Sequence, residues 1–213
     1  MEERSVDVIA KSNSKVKIKV IPGHFATTNS HVNCYIDMTG AKIQHKMARL
    51  IAKELSVQYI GSVSVDSIIC MESTEMIGGF LADELSSGKT YSINAGKDIN
   101  VITPEVNSTG QMIFRDNTQG MIWDKDVVLL IASATTGKTI NRATECIRYY
   151  NGNVAGISAI FSAIDSLADI EINRVFGSED LTGYATYSSG DCPYCKAKVK
   201  IDAIVNSYGY SKI

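Results

Sequence analysis

Residues 127–140 read VVLLIASATTGKTI: an unbroken apolar run, a Thr-Thr-Gly-Lys-Thr turn, and the start of a helical pattern. An apolar run without polar alternation suits a strand covered on both faces, as in the interior of a parallel sheet. A parallel strand reaches its neighbour only through a crossover, usually a helix. The turn therefore stands at the carboxyl end of a buried strand and the amino end of a helix. Free backbone N–H groups and the helix dipole favour an anion there. This stretch points to an α/β protein with a phosphate cradle at Ser133, Ala134, Thr135, Thr136, Gly137, Lys138 and Thr139.

The flanking sequence repeats the alternation. Residues 66–71 (DSIICM), 98–103 (DINVIT), 126–132 and 154–163 (VAGISAIFSA) read as strands. Residues 75–85 (EMIGGFLADEL) and 139–150 read as helices, stopped by Ser86-Ser87-Gly88 and by Asn151-Gly152. Ile43, Met47, Leu50, Ile51 and Leu55 recur at helical spacing and predict a helix over 41–56. Strand–helix–strand units imply parallel strands with right-handed crossovers, and ligands of such sheets bind at the carboxyl ends of the strands. Residues 16–21 (VKIKVI) alternate as a half-exposed strand that Pro22-Gly23 should stop, and 33–37 (NCYID) is a second short strand. Residues 104–110 (PEVNSTG) read as a polar loop with a return strand in 111–115. The expected division is hood strands in 1–40, an α/β core in 41–165, and a hood or appendage with a CPYC motif in 166–213.

Composition excludes several classes. A net charge of −2 with scattered Lys and Arg offers no broad basic face for nucleic acid. No run approaches the roughly 18 apolar residues of a membrane helix. The first twenty residues contain no apolar leader core, and five cysteines without one point to a reducing cytoplasm.

Two phosphate-binding families compete for the turn. Residues 132–139 match the P-loop pattern G-x-x-x-x-G-K-[ST], except that Ala132 replaces the first glycine. A P-loop also usually opens its domain, whereas most of this sheet precedes the turn; Asp165 is the one Walker B candidate. The stretch is more similar to the type I phosphoribosyltransferase signature: a hydrophobic strand, two acids, two variable residues, then Thr-Thr-Gly before a small residue and Thr or Ser. Two further segments resemble the orotate phosphoribosyltransferases. Residues 25–37 (FATTNSHVNCYID) resemble their N-terminal substrate segment, and residues 72–82 (ESTEMIGGFLA) their pyrophosphate loop and following helix.

The resemblance implies a five-stranded parallel sheet flanked by helices, with a small hood, in a homodimer of pyrimidine nucleotide metabolism. It implies transfer of ribose 5-phosphate from phosphoribosyl pyrophosphate (PRPP) to a nitrogenous base with Mg2+, a pentosyl transfer. The 5-phosphate would sit on Thr135, Thr136, Gly137, Lys138 and Thr139, and the pyrophosphate along Glu72, Ser73, Thr74 and Glu75. Phe25, Ser30, His31 and Tyr35 would face the base. Two departures bear on catalysis. Ile131 and Ala132 stand where the family carries its acid pair, and residues 101–110, aligned with the mobile loop, contain no Arg, Lys or His, with Arg115 off register. Losing one charge-stabilising donor costs about 10²–10³-fold in rate. The expectation is a cradle that still binds PRPP or a nucleoside monophosphate, with no catalytic residue assigned. A non-catalytic nucleotide-binding regulator and a divergent P-loop hydrolase are the alternatives.

Cys192-Pro193-Tyr194-Cys195 has the letters of a glutaredoxin site, but a redox CPYC follows an early strand and opens a helix. Read as half of a zinc site, Cys192 and Cys195 supply two of four ligands, with His24, His31 or another subunit's pair completing them. A plain structural turn carrying two thiols is the third reading. His31 suits a ligand contact or a turn, His45 a solvated helix face. Glu72 and Glu75 suit acids or helix-end caps; Cys34, Cys70 and Cys146 suit small core positions; Trp123 suits packing before the central strand.

Overall fold

A computed structural model describes residues 1–88, 91–107 and 110–213. The chain opens with a meander of β1 (Val6–Ile9), β2 (Lys17–Ala26) and β3 (His31–Asp37). Pro22-Gly23 does not stop β2. Pro22 pairs with Cys34 and the register then shifts before Phe25, so the residue lacking an N–H falls at a bulge. The predicted helix over 41–56 is broken: α1 (Thr39–Ile43) ends at Gln44, whose extended backbone (φ −92°, ψ 108°) resets the direction before α2 (His45–Ser56).

The alternating region then follows: β4 (Ser67–Cys70), α3 (Glu75–Ser86), β5 (Asn100–Ile102), β6 (Glu105–Val106), β7 (Met112–Ile113), α4 (Asp116–Gln119), β8 (Asp126–Ala134), α5 (Lys138–Tyr149) and β9 (Asn153–Ser162). The stretch expected as a loop over 104–110 holds β6, which pairs antiparallel with the expected return strand β7; Ser108 and Thr109 lie outside the described residues. The chain ends with β10 (Ser166–Leu167), β11 (Ile170–Gly177), β12 (Thr186–Tyr187), α6 (Pro193–Lys196), β13 (Ala203–Asn206) and β14 (Gly209–Lys212).

Strands β5, β4, β8, β9 and β11 lie side by side in parallel, with β10 folded back antiparallel on the β11 edge. The core sheet thus extends beyond residue 165, where the sequence division ended it. The alternation of β8 splits the core. Val128, Leu130 and Ala132 face a cluster with Ile51 and Leu55 of α2 and Ile77 and Leu81 of α3. Val127, Leu129 and Ile131 face Ile140, Ala143 and Ile147 of α5. Helices on both faces explain why β8 is apolar along its run rather than at alternate positions. The second sheet runs β12-β3-β2-β13-β14, with β1 added on β2, and encloses a smaller core of Ile21, Phe25, Val32, Tyr35, Ala203 and Val205. It is the hood, built from both ends of the chain. Trp123 does not pack as expected, standing 62% exposed on the turn before β8. Among the described residues no helix is long and apolar enough to cross a membrane.

Candidate functional site

A cavity of about 290 Å3 lies between the carboxyl end of β8 and the hood. Its floor is Ile131 through Ile140 and its walls come from the β2–β3 turn, Lys42, Glu72, Phe161, Tyr184 and residues 205–207. Gly137 makes the floor possible. It caps α5 in the left-handed region (φ +73°), where a Cβ would also meet Leu167 Cδ1 at 2.9 Å. This kink presents the amides of Thr135, Thr136, Gly137, Lys138 and Thr139 at the start of a 12-residue helix. Among the described residues these five amides donate to no protein acceptor.

The β4–α3 turn supplies Glu72, the one acid that lines the cavity among the described residues. Glu72 and Ser73 both take left-handed backbone angles (φ 59° and 63°), an arrangement that costs roughly 1–2 kcal/mol per residue. The turn brings the Glu72 carboxylate over the end of β8, where Oε2 accepts the Ser133 amide at 3.1 Å. The buried Thr74 hydroxyl secures the turn by donating to Met71 O (2.9 Å) and Leu130 O (3.2 Å). Burial pushes the Glu72 carboxyl above its ordinary value, and the Ser133 amide and Lys42 offset only part of that. Lys42 Nζ donates to Glu72 O at 3.2 Å and to Ser207 O, so one ammonium joins α1, the β4–α3 turn and the hood. Its own pKa is lowered, chiefly by burial.

A pH prediction follows from Glu72. The native state holds the carboxyl proton more tightly than the unfolded chain does, so stability falls as pH rises from the ordinary value of 4.5 through the raised native one. Glu72→Gln removes that slope. Urea unfolding at pH 5 and pH 8 should show the variant gaining on the wild type at the higher pH; a constant difference would mean that the carboxyl titrates normally.

Of the residues nominated from sequence, Ser133 through Thr139, Glu72, Ser30 and Tyr35 line this cavity. Ser73, Thr74 and Glu75 do not; Glu75 accepts a hydrogen bond from the Thr103 hydroxyl at 3.0 Å instead. Phe25 is fully buried in the hood core, because the β2 bulge turns its ring inward against Tyr35. His31 faces away from the cavity toward His24 and the cysteine pair. Arg115 is held by Glu105 through two bonds of 2.7 Å. Asp165 pairs with Arg174 at 2.5 Å on the surface, away from the cavity, so the Walker B candidate is not in place. Lys42, Phe161 and Asn206 were not legible as site residues. They arrive from three separate segments, and nothing local marks them.

No protein-family model matches the sequence, and no curated protein matches it. Solved structures do. UMP synthase of Leishmania donovani superposes with a TM-score of 0.56 at 16% identity, over 84% of this chain and 36% of that one. Adenine phosphoribosyltransferase of the same organism gives 0.51 at 17% identity, over 71% of this chain and 73% of that one. Orotate phosphoribosyltransferase of Mycobacterium tuberculosis H37Rv gives 0.50 at 16% identity, over 76% and 91%. This chain thus spans about a third of the UMP synthase it resembles. The architecture is the type I phosphoribosyltransferase fold, and the bases in these names, adenine and orotate, differ while the fold does not.

Proposed function

We propose that this chain, on its phosphoribosyltransferase fold, binds PRPP or a nucleoside monophosphate with the 5-phosphate seated on Thr135 through Thr139. One observation carries the reading: five consecutive residues whose amides have no protein acceptor among the described residues line a cavity at the mouth of a parallel sheet. Oriented N–H groups at a helix start bind phosphate without needing a paired cation, and the Thr135, Thr136 and Thr139 hydroxyls add donors. The cavity is at the lower edge of the roughly 300–1,000 Å3 of small-molecule sites. The sugar and base would then extend toward Phe161, Tyr184 and the β2–β3 turn.

Glu72 fits the Mg2+ expected on such a ligand, since this ion takes one or two carboxylates alongside phosphate oxygens and water. Mg2+ would offset the repulsion between Glu72 and a pyrophosphate. Transfer itself lacks its usual acids, because the hydrocarbon side chains of Ile131 and Ala132 stand in their place at the end of β8 and are buried. Binding without rapid turnover is the better-supported outcome. Slow transfer is the second reading, favoured by Glu72 reaching the end of β8 from a neighbouring strand.

Calorimetry with PRPP, nucleoside monophosphates and the matching nucleosides, with and without Mg2+, tests the binding. Phosphorylated ligands should bind at least about 100-fold more tightly than nucleosides, as two charge-assisted hydrogen bonds would give. Equal affinities would remove the reading. Pyrophosphate release from PRPP and a base decides between retention and transfer.

A further inference from the structure

We infer that His24, His31, Cys192 and Cys195 form a structural zinc site that staples the C-terminal segment to the hood. The four ligand atoms all lie within 4.8 Å of one another. His24 Nε2 is 3.0 Å from His31 Nδ1, 3.4 Å from Cys192 Sγ and 3.7 Å from Cys195 Sγ, and Cys195 Sγ is 3.3 Å from His31 Nδ1. Around a tetrahedral zinc with its usual bond lengths, these edges would be about 3.4 Å between nitrogens and about 3.6 Å between nitrogen and sulfur. A small movement of the side chains would admit the ion at the centre.

The surroundings favour the same assignment. His24 is 1% exposed, and its other ring nitrogen, Nδ1, lies 3.0 Å from Val199 O. An Nδ1–H donated to that carbonyl leaves the Nε2 lone pair aimed into the tetrad, which is how outer partners orient a metal-bound imidazole. Tyr194 stacks on the His24 ring at 5.3 Å. The backbone of His24 is fixed by Asp202, whose carboxylate accepts its amide at 2.9 Å. Two sulfurs and two nitrogens with no carboxylate suit zinc, and four protein ligands leave no open position for a substrate.

A second, independent observation concerns what holds residues 188–200. Along this segment Cys192 alone is buried, and α6 is only four residues long. A stretch that buries so little apolar surface has little hydrophobic means of holding one conformation, the situation in which small units rely on a disulfide or a metal. The site spans β2, the start of β3 and α6, and the turn between its two histidines lines the ligand cavity.

The test uses the full chain, purified under reducing conditions from zinc-supplemented cells, with metal measured by plasma mass spectrometry. One zinc per chain is expected. Replacement by Co2+ should give the intense visible bands and thiolate charge-transfer absorption of a tetrahedral S2N2 site. Cys195→Ser and His31→Ala should each weaken zinc by more than the about 10–100-fold that outer partners contribute, whereas Cys146→Ser should keep the metal. Substoichiometric zinc in the wild-type chain together with no tetrahedral cobalt spectrum would overturn the site, whether or not the variants fold. A Cys192–Cys195 disulfide that persists in the presence of zinc, seen as a loss of two hydrogens by intact mass, would overturn it in favour of redox chemistry. Metal content is read without any ligand, so failure here is separate from failure of the phosphate cradle.

Discussion

Replacing Gly137 with Val is expected to weaken binding of PRPP or a nucleoside monophosphate by at least about 100-fold, the loss of two charge-assisted hydrogen bonds at about 1.5–3 kcal/mol each. Two physical effects act together. Gly137 sits at φ +73°, a conformation that a β-branched residue adopts only as an outlier. A Cβ at this position would lie 2.9 Å from Leu167 Cδ1 and 3.2 Å from Ile164 Cδ1, on the β9–β10 connection. The backbone must therefore rotate, and the amides of Thr136 to Thr139 rotate with it. Gly137→Ala should show the same loss in milder form, since it keeps the left-handed penalty of about 1–2 kcal/mol but brings no second branch. Calorimetry below the melting temperature of each variant reads the effect. Full affinity in Gly137→Val would remove Thr135–Thr139 as the phosphate site.

The second large effect concerns the missing acids. Ile131→Asp is expected to lower the melting temperature by roughly 10–15 °C and not to confer transfer. Ile131 is fully buried in the cluster shared with α5 and pairs with Ala159 of β9. Truncating such a side chain costs about 2–5 kcal/mol, and an unpaired buried carboxyl adds more. In a chain of this size each kcal/mol moves the melting point by about 2–4 °C. The new carboxyl would be pushed above its ordinary range, so the deficit should be smaller near pH 4 and grow as pH rises. Ala132 faces the opposite cluster, against α2 and α3, so an acid pair here would place a charge in each half of the core. Thermal unfolding at two pH values, with pyrophosphate release from PRPP in parallel, checks this. A variant as stable as wild type would show that the end of β8 is open to solvent, as an acid-bearing site requires.

The central sheet was legible because burial on both faces leaves a continuous apolar trace, and β4, β8 and β9 all carry one. The edge strand β11 was not, because its residues IEINRVFG mix the two classes. Asn173 and Arg174 are committed to hydrogen bonds with Leu55 O and with Asp165, and that polarity read as the end of the sheet. Pro22-Gly23 misled for a related reason: the missing N–H is harmless only at a bulge, and a bulge depends on the partner strand.

The candidate site divides the same way. Gly137 and its neighbours were readable because a strand, a turn and a helix start are contiguous in the chain. Glu72 was readable as a polar turn but not as the acid over β8, a position set by two left-handed residues and by the parallel register of β4 against β8. Phe25 was placed toward the base through a resemblance of segment 25–37, and a matching segment does not say which face of a bulged strand turns inward.

Period, burial trace and local backbone chemistry are written along the chain, and they were enough for the α/β class, the parallel crossovers of the central sheet and the strand–turn–helix junction that joins β8 to α5. Two further features came from the packed fold alone, and in a third the fold selected among partners that the sequence left open for the cysteine pair. Lys42 and Glu72 share a cavity, Ile131 and Ala132 are core on opposite faces, and His24 and His31 meet Cys192 and Cys195 across more than 160 positions of chain. Such meetings depend on which strand ends the hood brings together, and no local propensity encodes a contact between residues so far apart.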